Sequence, residues 1–176
     1  MGRIENSGTS NGTSGSPQTS LEQTQLTSEI SQAEQKLIQA EDATLFDELD
    51  KNGIKYTKEN VLFIARDATE QIVFLETGNS SAGFNHILKR HAQNFKDTFD
   101  IDAEQIPAYL KNVVRYGKVI SNEVVIRKGK EGFERKYYYN GNYHIITGIG
   151  SNGFIVSAYP REIPKVISDE NNKNNA

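Results

Sequence analysis

Three histidines, His86, His91 and His144, are the only imidazoles in this chain of 176 residues, and there is no cysteine. The missing thiols exclude a cysteine nucleophile, a disulfide framework and every Cys-based zinc or iron–sulfur centre. Two of the histidines share the segment Gly83-Phe84-Asn85-His86-Ile87-Leu88-Lys89-Arg90-His91. Its apolar residues Phe84, Ile87 and Leu88, continued by Phe95, recur every three or four positions, so the spacing predicts a helix. On that helix His86, Lys89 and Arg90 share a face, setting one titratable imidazole beside two fixed cations. His91 lies about 140° further round the axis, in line with Ile87, Phe84 and Phe95, and is directed at whatever the helix packs on.

Metal ligation is the first chemistry to weigh, because neutral imidazole is the commonest metal ligand. A zincin-type helix carries two histidines four apart with a third donor; here the separation is five, and Lys89 and Arg90 would repel a divalent ion. No metal and no cofactor are expected. Cations beside an imidazole suit a phosphodiester, whose oxygens gain charge in the transition state, while the imidazole moves a proton near neutral pH. RNA brings its own nucleophile, the 2′-hydroxyl, so neither a protein nucleophile nor a metal is needed. The plainer reading makes His86 a surface residue and His91 a hydrogen-bonded core residue.

Two more donors stand near the end of the chain. In Phe154-Ile155-Val156-Ser157-Ala158-Tyr159-Pro160, strand alternation sets Ser157 and Tyr159 on one face with Ile155, and Phe154, Val156 and Ala158 on the other. If the second set packs on the core, Ser157 and Tyr159 are presented together, and both can donate to a phosphate. The polar outer face of an antiparallel sheet is the plain alternative.

Charge is distributed unevenly. Residues 1–52 carry three basic and nine acidic side chains. Between residues 111 and 136 the balance inverts to eight basic against three acidic. Lys111, Arg115, Arg127, Lys128, Arg135 and Lys136, with Lys89, form a candidate docking surface for a polyanion, since neutralised phosphates release counterions. Tyr137 to Tyr139 are candidates to stack bases, Tyr139 foremost. A solvated hairpin face explains the same charges equally well.

The elements that must position these groups can be read from punctuation and period. Residues 1–20, rich in Gly, Ser, Thr and Asn, bury too little apolar surface to order and read as a linker. Residues 21–52 read as an amphipathic helical region, with Leu26, Ile30, Ala33 and Leu37 at helical spacing, a break near Asp42, and Asn52-Gly53 as its stop. Asn60 to Ala65 and Gln71 to Glu76 read as a hairpin. A second helix follows from Pro107 to Gly117. Four strands then run around Glu123–Ile126, Lys136–Tyr139, Tyr143–Ile149 and Phe154–Tyr159, with Asn140-Gly141 as a hairpin turn and Pro160 and Pro164 ending the sheet. The expected class is α+β: helices packed on a C-terminal antiparallel sheet of about four strands. The expected folded domain spans 53–167, and 168–176 is a polar tail.

An acidic strand end and Gly turn, Phe74-Leu75-Glu76-Thr77-Gly78, leads to a helix of pattern Gly-x-x-His-Ile-x-x-Arg-His, and the last strand reads Ile-Val-Ser-Ala-Tyr-Pro. In these segments the chain, over roughly Ile54 to Pro160, resembles the C-terminal nuclease domains grouped as polymorphic toxin type 50, of the barnase, EndoU, colicin and RelE-like superfamily of metal-independent ribonucleases. The resemblance implies a RelE/barnase-like fold. It also implies an active site of His86, Arg90 and His91 on the helix with Ser157 and Tyr159 on the last strand. Ser157 stands where such families commonly have Thr, which keeps the hydroxyl; Phe84 replaces an aliphatic residue, which alters packing. Which histidine is base and which acid is open.

Together these readings give an expected function: a toxin-type endoribonuclease that cleaves RNA, with tRNA a candidate target, by transesterification to a 2′,3′-cyclic phosphate. The resemblance implies delivery or secretion into the cytoplasm of a target cell without a signal peptide of the usual apolar kind, an upstream delivery or phage structural module, and a cognate immunity protein. No segment is apolar enough to span a membrane. The alternative is a noncatalytic RNA-binding or phage head-morphogenesis module whose histidines only pack.

Overall fold

The computed structural model describes residues 17–141 and 143–163. Most of the predicted linker and all of the predicted polar tail lie outside these residues. The order is α1 (Pro17–Lys51), β1 (Val61–Arg66), β2 (Ile72–Glu76), α2 (Phe84–Phe99), α3 (Ile106–Tyr116), β3 (Lys118–Arg127), β4 (Lys130–Tyr138), β5 (Tyr143–Gly150) and β6 (Ile155–Glu162), with short 3-10 turns before β1 and α3. This is the expected α+β class. Among the described residues no helix is long and apolar enough to cross a membrane.

The chain divides into two compact units, residues 1–43 and 44–176. In the first, α1 is helical from Pro17, inside the stretch read as linker, and continues through Asp42 without the expected break. Its residues 31–41 are exposed on every side, Leu37 included. The second unit begins nine residues before the predicted boundary at 53, because Leu45 and Leu49 are buried with Ile64, Ile72 and Phe74. Gly53 then stops the helix in the left-handed conformation (φ 69°) that the end of a helix asks of glycine.

Besides α2 and α3 this unit holds two antiparallel sheets, a β1–β2 hairpin and the meander β3-β4-β5-β6. They are tied where Phe74 N–H donates to Gly153 carbonyl at 2.9 Å. The main core lies between the helices and one face of the meander. Ile87 and Phe95 of α2 and Ile106, Leu110, Val113 and Val114 of α3 meet Tyr137, Ile145, Ile149, Ile155 and Ala158 there. Each helix therefore buries one apolar stripe, the pattern its spacing predicted.

The second face of the meander is the one the site uses. Register places Lys136, Ile146 and Tyr159 side by side on β4, β5 and β6, flanked by the row Tyr138, His144, Arg161 and by the row Glu134, Gly148, Ser157. The predicted alternation of β6 is broken by an irregularity: Gly148 pairs with Ser157, but Ile149 pairs with Ile155, so Val156 is an extra residue. Ile155 and Ala158 consequently both face the core, and Ser157 and Tyr159 are presented together outside, as expected but for a different reason. Pro160 does not end the sheet. It pairs with Ile145 within β6, which runs to Glu162; a proline, lacking an N–H, is tolerated there because β6 is an edge strand.

Candidate active site

The segment between β2 and α2 is a tight turn that fixes where the first histidine stands. Asn79 Oδ1 accepts from the backbone N–H of Ser81 at 2.8 Å and of Ala82 at 3.2 Å. Gly83 adopts φ 89°, and a Cβ there would lie 2.9 Å from the Glu76 carbonyl oxygen and from Gly78 Cα, so only glycine fits. The Gly83 N–H donates to the Val156 carbonyl at 3.0 Å. The start of α2 is thereby pinned to the irregular point of β6, and the helix runs along that edge strand.

This placement brings the sequence-predicted residues together. The His86 and His91 rings meet edge to face with centroids 6.1 Å apart, although five residues separate them. His91 in turn stacks on Tyr159 at 4.8 Å and 25°, within the range of favourable aromatic pairs. Arg161 stands over the Tyr159 ring, its guanidinium carbon 5.6 Å from the ring centre. Ser157 lies two residues before Tyr159 on the same strand face, opposite Gly148.

Hydrogen bonds set the tautomers. His86 Nδ1 lies 3.0 Å from the Ser80 carbonyl oxygen and His91 Nδ1 lies 3.2 Å from Asn94 Oδ1. A carbonyl or amide oxygen can only accept, so both Nδ1 atoms carry a proton, which leaves each Nε2 to exchange a proton with a ligand. His91 is half-buried, and that desolvation holds its pKa below the usual histidine value; the charges of His86 and Arg90 act the same way, against the Asn94 hydrogen bond. The shift favours the neutral ring of His91 near pH 7. Arg90 and Lys89 are exposed on α2, and Arg90 is close enough for its charge to be felt at His91.

Of the predicted docking residues, Arg127 reaches furthest into this face. Its guanidinium lies over Gly148, where a Cβ would meet Nη2 at 3.2 Å. Lys136 is half-buried beside Ile146. Lys128 occupies the β3–β4 turn with φ 52°, and Lys111 and Arg115 belong to α3. Three expectations are corrected. Arg135 supplies no docking surface: it is 1% exposed and points into the core face. There its Nη1 donates to Asp67 Oδ2 at 2.7 Å, Nη2 to Gln71 and Nε to Asn122. Tyr137 is fully buried and donates its hydroxyl to the same Asp67 oxygen at 2.6 Å; burial pushes its pKa far up, so it stays protonated. Tyr139 packs edge to face on Tyr109 at 6.1 Å and is not free to take a base.

Sequence reasoning missed two residues. His144 and Arg161 are cross-strand partners on the outer face. The signal for Arg161 was its parity with Ser157 and Tyr159, hidden once Pro160 was taken as a strand end. His144 is 6% exposed, and its Nε2 is buried without a hydrogen-bond partner among the described residues. Such an orphaned group costs about 1–3 kcal/mol. Burial, then the charges of Lys136 and Arg161, hold its pKa below the ordinary value. No family model and no curated protein matches this sequence.

Proposed function

We propose that the chain is an endoribonuclease of the toxin type, cleaving RNA by metal-independent transesterification. The observation that carries this reading is the pair of histidines meeting edge to face at 6.1 Å, His91 stacked on Tyr159, with the hydrogen bond of each ring made by Nδ1 and not by Nε2. Two proton-transfer groups side by side, with hydroxyl and guanidinium donors next to them, are what in-line attack of a 2′-hydroxyl requires.

Neutral His91 takes the proton of the 2′-hydroxyl as its oxygen attacks phosphorus. The P–O2′ bond forms and the P–O5′ bond breaks; the 5′-oxygen leaves with the Nε2 proton of His86 in its imidazolium form, and the products are a 2′,3′-cyclic phosphate and a free 5′-hydroxyl. Arg90 offsets the charge that develops on the phosphoryl oxygens, with Lys89 assisting from the same helix. The hydroxyls of Ser157 and Tyr159 hold the phosphate in place. The similarity to polymorphic toxin type 50 domains supports this assignment, and with it delivery into a competitor's cytoplasm and neutralisation by an immunity protein.

The test is incubation of the purified protein with total RNA and with tRNA in excess EDTA, beside His86→Ala and His91→Ala variants shown to be folded. Cleavage by the parent that both substitutions abolish supports the mechanism. Loss with only one reduces the other histidine to a packing role. Intact RNA throughout favours the noncatalytic RNA-binding or phage structural module, and cleavage only on addition of Mg²⁺ overturns the metal-independent route.

A further inference from the structure

The outer face of the meander continues past Tyr159 into groups that the proposed reaction does not use. Arg161 follows Tyr159 by two residues, pairs across to His144, and His144 pairs on to Tyr138, which pairs with Lys118. Lys136 lies one row away, beside Ile146 and opposite Ser121. Since cross-strand partners share a face, two cations, Lys136 and Arg161, stand near one imidazole, and Lys118 lies on the same face one strand beyond Tyr138. Two buried polar atoms on this same face, His144 Nε2 and Ser121 Oγ, have no partner among the described residues. The carboxylates of the face, Glu123 and Glu134, oppose each other one row beyond Lys136, on the side away from His144. The side chains around His144 are long and half or wholly exposed, so they can move aside for a ligand.

We propose that Lys136, His144 and Arg161 form a second phosphate subsite, adjoining the His86–His91–Tyr159 cluster, that binds the backbone phosphate of the nucleotide next to the one being cut. The inference rests on the ribonuclease reading for the identity of the ligand. The orphaned Nε2 is what separates this patch from an ordinary basic face: in the Nε2–H tautomer, a phosphate oxygen between the two cations would give it the acceptor it lacks. His144 is held neutral beside the two cations, so it donates without adding a third charge. Tyr159 touches both His91 and Arg161 and so links the two subsites.

The ligand is best tested with RNA that cannot be cut. Fluorescence anisotropy would compare a 2′-O-methyl dinucleotide, with one phosphate, and a 2′-O-methyl pentanucleotide on the parent, on Lys136→Ala/Arg161→Ala, on His144→Gln, and on Lys55→Ala as a charge control. The double variant, altered at two side chains outside the core, is expected to weaken the pentanucleotide about tenfold and to lower its salt slope by about 1.4, the value for two lost phosphate contacts on a single strand. The dinucleotide should bind as before. His144→Gln should weaken the pentanucleotide alone, and the His144 Nε2–H resonance of the parent should shift when it is added. Equal losses on both ligands, or a pentanucleotide indifferent to the double variant, would overturn the subsite. A protein that binds as expected yet leaves natural RNA uncut in EDTA would retain the subsite and refute the nuclease reading.

Discussion

Replacing Arg135 by Met breaks an ion pair whose two side chains are both buried. Its Asp67 partner is buried at 5% exposure and receives Arg135 Nη1 at 2.7 Å, the Tyr137 hydroxyl at 2.6 Å, and Thr69 N–H and hydroxyl at 2.8 and 2.6 Å. Removing the guanidinium leaves a carboxylate in the core with only neutral donors, and it also strips Gln71 and Asn122 of their partner. Breaking one side of such a pair costs about 3–5 kcal/mol. Against a total of about 5–15 kcal/mol, that is a large share, and for a unit of this size it lowers Tm by roughly 12–20 °C. Asp67→Asn keeps the turn acceptor for Thr69 but loses the charge, and should cost a comparable amount. The double variant Asp67→Asn/Arg135→Met should be more stable than the sum of the two losses by at least about 1 kcal/mol. Urea denaturation followed by circular dichroism reads all three. A loss below about 1 kcal/mol for Arg135→Met, or strictly additive losses, would refute the view that this pair clamps the β1–β2 hairpin to the meander.

Three further outcomes are expected. His91→Ala removes the proposed base, so kcat on RNA should fall about 10²–10⁴-fold while unfolding free energy changes by no more than about 1.5 kcal/mol for the lost stack on Tyr159; a loss under tenfold in a folded variant would show that His91 only packs. Gly83→Ala forces a left-handed residue against the Glu76 carbonyl, and should lower Tm by several degrees and separate α2 from β6, read as loss of protection of the Gly83 amide in hydrogen exchange. Stability should fall with acid, with a sign fixed by the two depressed histidines. Both His91 and His144 titrate lower folded than unfolded, so the unfolded chain binds more protons; their contribution is complete above about pH 6.5 and is lost as pH drops through the folded values. Tm measured from pH 7.5 to 5 should therefore decline, and His91→Gln with His144→Gln should flatten the slope.

What the residue order revealed, and what it hid, follows from the range of the interactions involved. Helical period, a proline at a first turn and Asn-Gly pairs are local, and they placed α2, α3 and the turn before β5 within a few residues. The His86 and His91 cluster could be named but not assembled, because helix geometry alone sets those residues about 140° apart. Only the anchoring of Gly83 to Val156 and the ring of Tyr159 bring them to one edge. Arg135 looked like its basic neighbours because its partner Asp67 is 68 positions away, and no charge count senses such a pairing. The irregular residue Val156 inverts parity at the start of β6, so counting forward from Phe154 or back from Tyr159 gives a different face. Leu45 and Leu49 were read with the helix they continue, whereas the side chains that bury them come from β1 and β2.

Pro160 has a consequence for how the molecule behaves among its copies. An open four-stranded meander has two free margins, and an unguarded margin recruits other chains by adding strand to strand. One margin, β6, carries a residue with no amide hydrogen to offer an intruder, followed by the charged Arg161 and Glu162. At the other, β3, the register slips between Val119 and Ser121 and Lys118 leads the strand. Both borders are thus poor templates for self-assembly, so the chain can hold an exposed sheet face open to a ligand without inviting fibrils.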